Sequence, residues 1–431
     1  MNRADASQSG LLFAFRALKH RNYRLFFIGQ TLSLIGTWIT RVAMGWLVYR
    51  LTNSAFMLGM VSFAGLVPTF LLSPVGGVLA DRWSRRGILL YSQTVLMLIS
   101  LSLAYFARSG TISVPHILVL CTLQGLCNAF DIPTRQSFVV EIVEDRADLS
   151  GAIALNSTIF NVARLVGPSV AGFLIYRVGE GCCFLIDGVS FMAVLGMLLA
   201  MRIPPPKPRA RDTHVLQDLR EGFHASYGFP PIRTLLLMMS LISFIGMPYI
   251  ILLPVFADRV LGGGALLLGF LNAAIGIGAL CGALTLAMRQ SVLGLGRIII
   301  LGSFTFGVAL ILFAISRSVW LSLPLLVVTG FTLLVQSVAI HTIVQTIVDD
   351  ETRGRVLSFF AMAFLGAAPF GNLIAGALAR HFSAPTTVML YGVVFLLAAG
   401  AFSWYLPRLK RLVRPIYVAR GILPEVPPPT T

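Results

Sequence analysis

The sequence predicts an all-α membrane protein with twelve transmembrane helices. Three observations predict this class: of 431 residues, 57% are hydrophobic and only 12% are charged, and the apolar residues form twelve long runs. Soluble domains carry about 25% charged residues, and a helix needs about 20 apolar residues to cross the hydrocarbon core of a bilayer. The composition therefore excludes a water-soluble fold.

The predicted spans fall into two sets of six, each span roughly 18 to 28 residues long. The first set covers residues 25–49, 55–79, 88–106, 117–134, 151–176 and 182–200. The second set covers residues 235–256, 265–288, 298–315, 320–347, 356–378 and 388–406. Residues 1–22 are polar and basic and lack a cleavable signal pattern, so the first span is expected to act as the insertion signal.

The long polar segment between the two sets predicts three regions along the chain. Residues 1–203 are expected to form one six-helix bundle and residues 234–431 a second, with a basic cytoplasmic tail. Residues 204–233 are expected to form a cytoplasmic linker, with an amphipathic helix indicated by apolar residues at helical spacing around residues 215–223. Similar segments at 141–146 and 346–353, each after the fourth span of its half, indicate a parallel repeat.

The basic residues set the orientation and exclude some partners. Lys and Arg number 33 against 17 Asp and Glu, and they cluster before the first span, after the second, in the middle segment and after the last. By the positive-inside rule both termini are cytoplasmic, in an inner (plasma) membrane. Short clusters between apolar runs do not form a nucleic-acid-binding patch. The five cysteines lack metal-site spacing, so neither a metal site nor a cofactor is expected.

The turn after the second span carries a motif with specific spacing: Gly77, Asp81, Arg82, Arg85 and Arg86. This pattern resembles the GxxxDRxxRR signature of the major facilitator superfamily, in which the glycine allows close helix packing and the aspartate meets a helix N-terminus or an arginine at the cytoplasmic gate. A simple basic turn would explain the arginines but not the glycine and aspartate. Residues 282–297 of the second half lack the acidic residue, which predicts a latch on one side only.

Further segments narrow the resemblance to one subfamily. Residues 46–49, 51–54 and 350–356 resemble the subfamily that includes the enterobactin exporter and macrolide-efflux proteins, and the resemblance covers nearly the whole chain. It implies the major facilitator fold, with twelve helices in two six-helix bundles, and export driven by the proton gradient. It does not identify the substrate.

The fifth span contains Gly167, Pro168 and Gly172, which resemble the GPxxGG signature of proton-linked drug exporters. In that signature, small residues and a proline let two helices approach and bend. Ala171 replaces one glycine of the signature, and Cys121 stands where the family has an arginine on the fourth span. A general packing surface of small residues is the alternative interpretation, and the sequence leaves both open.

Four charged side chains lie within the predicted spans: Arg41, Asp131, Arg164 and Asp187. A central charge costs roughly 3 kcal/mol on insertion scales, so each must be paired or face water. Either Arg41–Asp187 and Asp131–Arg135 are static pairs, or some of these groups exchange protons or bind substrate. Asp131, on a span that lines the cavity in this family, is the preferred proton site. Arg41 and Arg164 are its expected counter-charges.

Neutral polar residues supply the candidate substrate contacts. Gln336, His341 and Gln345 lie on the tenth span and share a helix face only approximately, while Asn156 and Asn161 lie near Arg164 on the fifth. Hydrogen bonding between helices is the alternative role for each of them.

The sequence therefore predicts a monomeric exporter of a small amphipathic compound, a drug or siderophore, by alternating access with proton antiport. Protons and membrane lipids are its other expected partners. A passive facilitator or a lipid flippase of the same fold would share every motif, and a non-transporting receptor is a further alternative. An enzyme is not expected, because the sequence has no HExxH, GxSxG or P-loop motif.

Overall fold

The computed structural model describes residues 16–143, 145–202, 223–224, 226–289, 291–349 and 352–424, without the side chains of Asp81 and Arg146. Most of the predicted linker and amphipathic helix at 204–233 lies outside the described residues.

Within the described residues, twelve helices are long and apolar enough to cross a membrane, which confirms the predicted number of spans. They are α1 (Arg21–Thr52), α2 (Ala55–Arg82), α3 (Arg85–Arg108), α4 (Val114–Ile142), α5 (Leu149–Val178), α6 (Glu180–Ala200), α7 (Pro230–Val260), α8 (Gly264–Ala287), α9 (Leu295–Ile315), α10 (Val319–Ile347), α11 (Arg353–Phe382) and α12 (Ala384–Ala419). Most extend a few residues beyond the apolar runs, because helical hydrogen bonding continues past the last apolar residue.

Several helices end where the backbone enters a conformation with positive φ. Asn53, between α1 and α2, has a φ of 50°, and Gly179, between α5 and α6, has a φ of 82°. Before α12, Ser383 caps the first turn by accepting a hydrogen bond from the Thr386 amide at 3.4 Å. A short side chain or glycine tolerates these angles, so the turns between consecutive spans can be tight.

Helix α7 is irregular in its middle. It contains two π-helical turns, Ile242–Gly246 and Phe256–Val260, separated by the 3-10 segment Pro248–Leu252 and a short α-helical turn. The amide of Met247 donates to the carbonyl of Ile242 at 2.9 Å, five residues back. Pro248 has no N–H to continue the regular ladder, so the wider turn precedes it.

The contacts between Cα atoms divide the chain into two units. Unit 1 contains residues 1–211, 250–276 and 372–380, and unit 2 contains residues 212–249, 277–371 and 381–431. The predicted division at residues 204–233 remains a prediction.

In unit 1, α1 packs on α5 and α6, α2 packs on α4, and α3 packs on α4 and α6. A buried cluster near the start of α1 includes Tyr23, Phe26 and Phe138. In unit 2, α9 packs on α10 and α12, around the buried rings of Tyr249, Phe306 and Phe395. The Phe306 ring lies 4.6 Å from Phe395 and 6.0 Å from Tyr249 between centroids.

Candidate functional site

Asp131, the predicted proton site, lies fully buried between α3 and α4. Its carboxylate accepts hydrogen bonds from the Ser92 hydroxyl at 2.8 Å and the Gln93 amide at 2.7 Å, and it forms an ion pair with Arg135 one turn along α4. This ion pair is the Asp131–Arg135 pairing that the sequence left open as one alternative. Arg41 and Arg164 are not among the contacts described for Asp131.

Asp187, on α6, is a second buried carboxylate with different surroundings. Its Oδ2 accepts a hydrogen bond from the Ser100 hydroxyl of α3 at 2.8 Å. Its Oδ1 makes no hydrogen bond in the described part of the chain. The Thr40 hydroxyl of α1 lies near this carboxylate. Ser100 and Thr40 are neutral, so the partners described for Asp187 include no cation.

The Arg41–Asp187 pair, one of the alternatives that the sequence left open, is not among the contacts described for these two side chains. The Arg41 guanidinium lies over the Trp38 ring, 4.7 Å from its centroid, and its side chain is exposed. Arg164, half-buried on α5, is close enough to Arg41 for the two like charges to interact. Similar depth in the membrane does not bring two groups together when their helices turn them to different sides.

The motif after α2 makes its described contacts inside unit 1. Arg85 donates to Glu141 at 3.1 Å and to the carbonyls of Ala80 and Ser137, which links α2, α3 and the end of α4. Arg86 donates to the carbonyl of Leu199 at the end of α6, at 3.0 Å. Arg82 is exposed, and the Asp81 side chain lies outside the described part of the structure.

The glycine that allows close packing in this motif is Gly76 and not Gly77. A Cβ atom added to Gly76 would collide with the carbonyl of Ala129 and lie 3.0 Å from the Cα of Phe130, both on α4. A Cβ added to Gly77 would meet no atom within 4 Å. The role that the signature implied for Gly77 is therefore corrected: its neighbour makes the contact between helices.

In the second half of the chain, the corresponding turn after α8 is held locally. Arg289 donates to the carbonyls of Ser291 and Leu293 in its own turn. Arg420, after α12, donates to the carbonyl of Val348 at the end of α10, at 2.6 Å. Arg420 is also paired with Asp349 at 3.9 Å just after α10, much as Arg85 is paired with Glu141 at the end of α4. The one-sided latch stays a prediction, because it concerns Asp81, whose side chain lies outside the described part of the structure.

The glycines of the antiporter-like motif on α5 lie at two contacts between helices. A Cβ atom on Gly167 would lie 2.5 Å from the Cβ of Trp38 on α1, and one on Gly172 would lie 2.8 Å from the Cα of Gly269 on α8. Pro168 is buried between them, and its carbonyl also faces Gly269. These contacts support the packing interpretation of the motif.

The candidate substrate residues occupy separate places. Gln336 is fully buried, accepts a hydrogen bond from Ser303 of α9 at 2.7 Å and donates to its own helix. His341 is half-buried with its ring 5.0 Å from the Phe360 ring, and Gln345 is exposed. The three residues of α10 therefore do not form one polar surface, and Gln336 has the interhelical role that the sequence left open.

On α5, Asn161 donates to the carbonyl of Ser157 in its own helix at 2.8 Å. Asn156 is half-buried. Asn156 precedes Phe160 by four residues and Arg164 by eight, so the three residues share one face of α5.

Sequence reasoning missed the contacts of α2 and α5 with helices of the second half, within unit 1. The Asn372 amide of α11 donates to the Ser62 hydroxyl of α2 at 2.7 Å, and a Cβ atom on Gly59 would lie 2.5 Å from the Asn372 carbonyl oxygen. Gly172 and Gly269 join α5 and α8 in the same way. A polar residue and glycines on apolar spans were the available signal, but hydropathy does not show which helices face each other.

Sequence reasoning also missed ion pairs near the helix ends. Arg50 at the end of α1 binds Glu180 at the start of α6 through two donors, at 2.7 and 3.3 Å. Asp148 before α5 forms an ion pair with Arg16 at 3.4 Å and a hydrogen bond with the ring of His20 at 3.1 Å. These pairs connect the ends of neighbouring helices.

Two further features of the described residues bear on ligand binding. In the described residues, no three His, Cys, Asp or Glu side chains come together to hold a metal ion. Unit 2 contains a cavity of about 570 Å³ whose lining includes Leu235, Phe402, Leu406, Lys410 and Arg414, and none of the predicted substrate residues.

Known proteins resemble this chain over nearly its whole length. A family model described as transmembrane secretion effector matches residues 13–414. The staphyloferrin A transporter of Staphylococcus aureus is 26% identical over 90% of this chain and 97% of its own length. The multidrug efflux pump Tap of Mycolicibacterium fortuitum is 26% identical over 88% and 93%, and the enterobactin exporter of Escherichia coli O1:K1 is 25% identical over 90% and 94%.

Solved structures support the fold. A bacterial homologue of the human lysosomal transporter Spinster, in an inward-facing and unoccupied conformation, superposes with a TM-score of 0.70 at 17% identity, covering 92% of this chain and 98% of its own. The predicted fold is thereby confirmed: the described residues form the helical architecture of major facilitator transporters.

Proposed function

Because the chain belongs to the transmembrane secretion effector family of major facilitator transporters, we propose that it exports a small amphipathic compound, a drug or a siderophore, by proton antiport. The family match covers nearly the whole chain, and its relatives are named as transporters and not as enzymes. Relatives named as a siderophore exporter and a multidrug efflux pump support the direction of transport and the substrate class.

The observation that carries the proposal is the pair of close contacts within unit 1 between helices of the two sequence halves. Gly172 meets Gly269 and Gly59 meets Asn372 nearly backbone to backbone, with Ser62–Asn372 as a direct hydrogen bond. Small residues let helices approach closely in a membrane, where no hydrophobic effect holds them together. An alternating-access cycle requires helices of the two halves to meet and part, and contacts between the halves at these positions support that proposal.

For proton coupling, we propose Asp187 as the stronger candidate and retain Asp131 as the second. Asp131 has a cationic partner and two hydrogen-bond donors, which together compensate its charge. Asp187 has one hydrogen bond from Ser100 and one oxygen without any in the described residues. An intramembrane carboxylate of this kind is a candidate for a proton relay.

The protein is a multi-pass membrane protein. We place it in the bacterial inner membrane as a monomer with both termini cytoplasmic, because the basic clusters at residues 16–24, 82–86 and 408–414 would then lie on the cytoplasmic side. The Arg85–Glu141 ion pair would lie on that side as well.

The test is transport into proteoliposomes with an imposed pH gradient, using ethidium, a macrolide and a catecholate siderophore. The parent is compared with Asp187→Asn and Asp131→Asn. Asp349→Asn is the matched control, since that carboxylate is 89% exposed. We expect uphill transport in the parent and the control, loss of gradient dependence in Asp187→Asn, and retained coupling in Asp131→Asn in protein that remains folded.

Loss of coupling in Asp131→Asn alone would transfer the proton role to Asp131. Transport that is independent of the gradient in the parent would refute antiport and favour a passive facilitator. Movement of fluorescent phospholipids in place of the three compounds would favour a flippase.

A further inference from the structure

The cavity of unit 2 combines apolar walls with two cationic side chains. It has a volume of about 570 Å³ and lies among the start of α7, the turn before α9, the end of α10 and the second half of α12. Leu235 of α7 and Ile343 of α10 belong to its apolar wall. A volume of this size is within the range of about 300–1,000 Å³ that small-molecule sites occupy. We call it the α12 cavity.

Helix α12 arranges its part of the wall from apolar to basic along the helix axis. Residues at four successive turns line the cavity: Phe402, Leu406, Lys410 and Arg414. Phe402 and Leu406 are buried, whereas Lys410 and Arg414 are exposed. Each step of four residues advances about 6 Å along the helix. The cavity is therefore apolar at one end and cationic at the other.

This order matches the order of chemical groups across one leaflet of a membrane. Helix α12 has 36 residues and is about 54 Å long, whereas the hydrocarbon core is about 30 Å thick. Trp404 is 86% exposed, and tryptophan is typical of the membrane–water interface. Lys410 and Arg414 follow Trp404 by about 9 and 15 Å of helix. Their charges therefore reach the level of the lipid headgroups, while Phe402 stays beside the acyl chains.

The charges around the cavity favour an anion. Within the described residues, Asp349 is the one acidic side chain of unit 2, and it is paired with Arg420 at 3.9 Å. In the described part of the chain, neither Lys410 nor Arg414 has an ion-pair or hydrogen-bond partner. A phosphate between these two side chains would supply one, since guanidinium and ammonium groups both bind phosphate oxygens.

We propose that the α12 cavity binds an anionic phospholipid, with an acyl chain against Phe402 and Leu406 and the phosphate held by Lys410 and Arg414. Basic pockets between transmembrane helices are typical sites for anionic headgroups. A soluble phosphate compound would fit the two cations equally well but would leave the apolar wall without a partner. On the proposed orientation the lipid comes from the cytoplasmic leaflet. Its binding does not depend on which compound the protein exports.

The test is native mass spectrometry of the full-length protein in detergent micelles, titrated with dioleoylphosphatidylglycerol or dioleoylphosphatidylcholine. The two lipids have the same acyl chains, and only the first carries a net negative charge. The variants are Lys410→Gln, Arg414→Gln and the double variant. Arg411→Gln is the matched control, because Arg411 is exposed on the same turn of α12 and is not among the described lining of the cavity.

We expect the parent and the control to bind phosphatidylglycerol at least about tenfold more tightly than phosphatidylcholine, equivalent to about 1.4 kcal/mol. Each single variant should weaken phosphatidylglycerol binding several-fold, and the double variant should lose most of the preference. Both side chains are exposed, so their replacement leaves the buried packing intact. Size-exclusion chromatography verifies the fold of each variant.

A second pair of variants tests the apolar end. Leu406→Trp should fill part of the cavity and weaken the binding of both lipids. Leu412→Trp is its control, because Leu412 is 39% exposed and is not among the described lining. If Leu406→Trp does not fold, a competition decides: glycerol phosphate, the headgroup without acyl chains, should not displace phosphatidylglycerol at a hundredfold excess.

Equal affinities for the two lipids in the parent, or an equal effect of the three single Gln variants, would overturn the proposal. Displacement of the lipid by glycerol phosphate would also overturn it and would make the cavity a site for a soluble phosphate compound. An effect of Leu406→Trp no larger than that of Leu412→Trp, in folded protein, would refute the position of the acyl chain.

Discussion

Adding one methyl group to Gly76 should destabilise the protein, whereas adding it to Gly77 should not. In Gly76→Ala, the new Cβ would overlap the Ala129 carbonyl and lie 3.0 Å from the Phe130 Cα. Both are backbone atoms of α4, so no side chain can rotate away to make room. Overpacking of this kind costs typically about 1–3 kcal/mol, and we expect a value near the upper end.

In Gly77→Ala, the Cβ meets nothing within 4 Å, and replacing glycine in a helix contributes about 0.5–1 kcal/mol of stability. The two neighbouring substitutions should therefore differ by about 2–4 kcal/mol. The assay is the free energy of unfolding in mixed micelles as SDS is titrated, with size-exclusion chromatography of the starting material. Equal stability of the two variants, or a less stable Gly77→Ala, would refute the assignment of the close contact to Gly76.

Three further substitutions test the buried polar contacts by the same unfolding assay. Arg135→Gln should lower the free energy of unfolding by about 3–5 kcal/mol, because it leaves Asp131 buried without its cation. Adding Asp131→Asn should recover part of this loss. Additive effects of the two substitutions would contradict the pairing. Asn372→Ala should cost about 1 kcal/mol through its bond to Ser62; an unchanged value would contradict that contact. Gln336→Ala should cost about 2–5 kcal/mol by leaving a cavity and an unpaired hydroxyl; a value below 1 kcal/mol, about that of one bond, would contradict its burial.

The spans and one ion pair could be predicted because their signals are local. Twenty apolar residues in a row define a span without reference to any other part of the chain. Asp131 and Arg135 are four residues apart on one helix, so their side chains meet wherever that helix packs.

Contacts between helices could not be predicted in the same way. Arg41 and Asp187 have similar depths, but Arg41 lies over Trp38, one turn earlier on its own helix, and the packing of α6 against α3 places Asp187 beside Ser100. Helix rotation depends on packing against several neighbours at once, and hydropathy carries no record of it. Gly76 and Gly77 are adjacent and point about 100° apart around α2. Which of them contacts α4 therefore also depends on how the helices pack.

The residues of α5 that make its closest helix contacts differ from those that could contact a ligand, and this has a consequence for how the protein can diversify. The closest backbone contacts of α5 with other helices use small residues, Gly167 and Gly172. Asn156, Phe160 and Arg164 lie about one or more turns earlier, where the Phe160 ring packs on Trp38 of α1. On the proposed export function, we expect substitutions at Asn156 or Arg164 to alter which cargo is recognised without altering the close helix contacts at Gly167 and Gly172. New specificities would then be accessible through single substitutions on one helix that leave its packing against α1 and α8 intact.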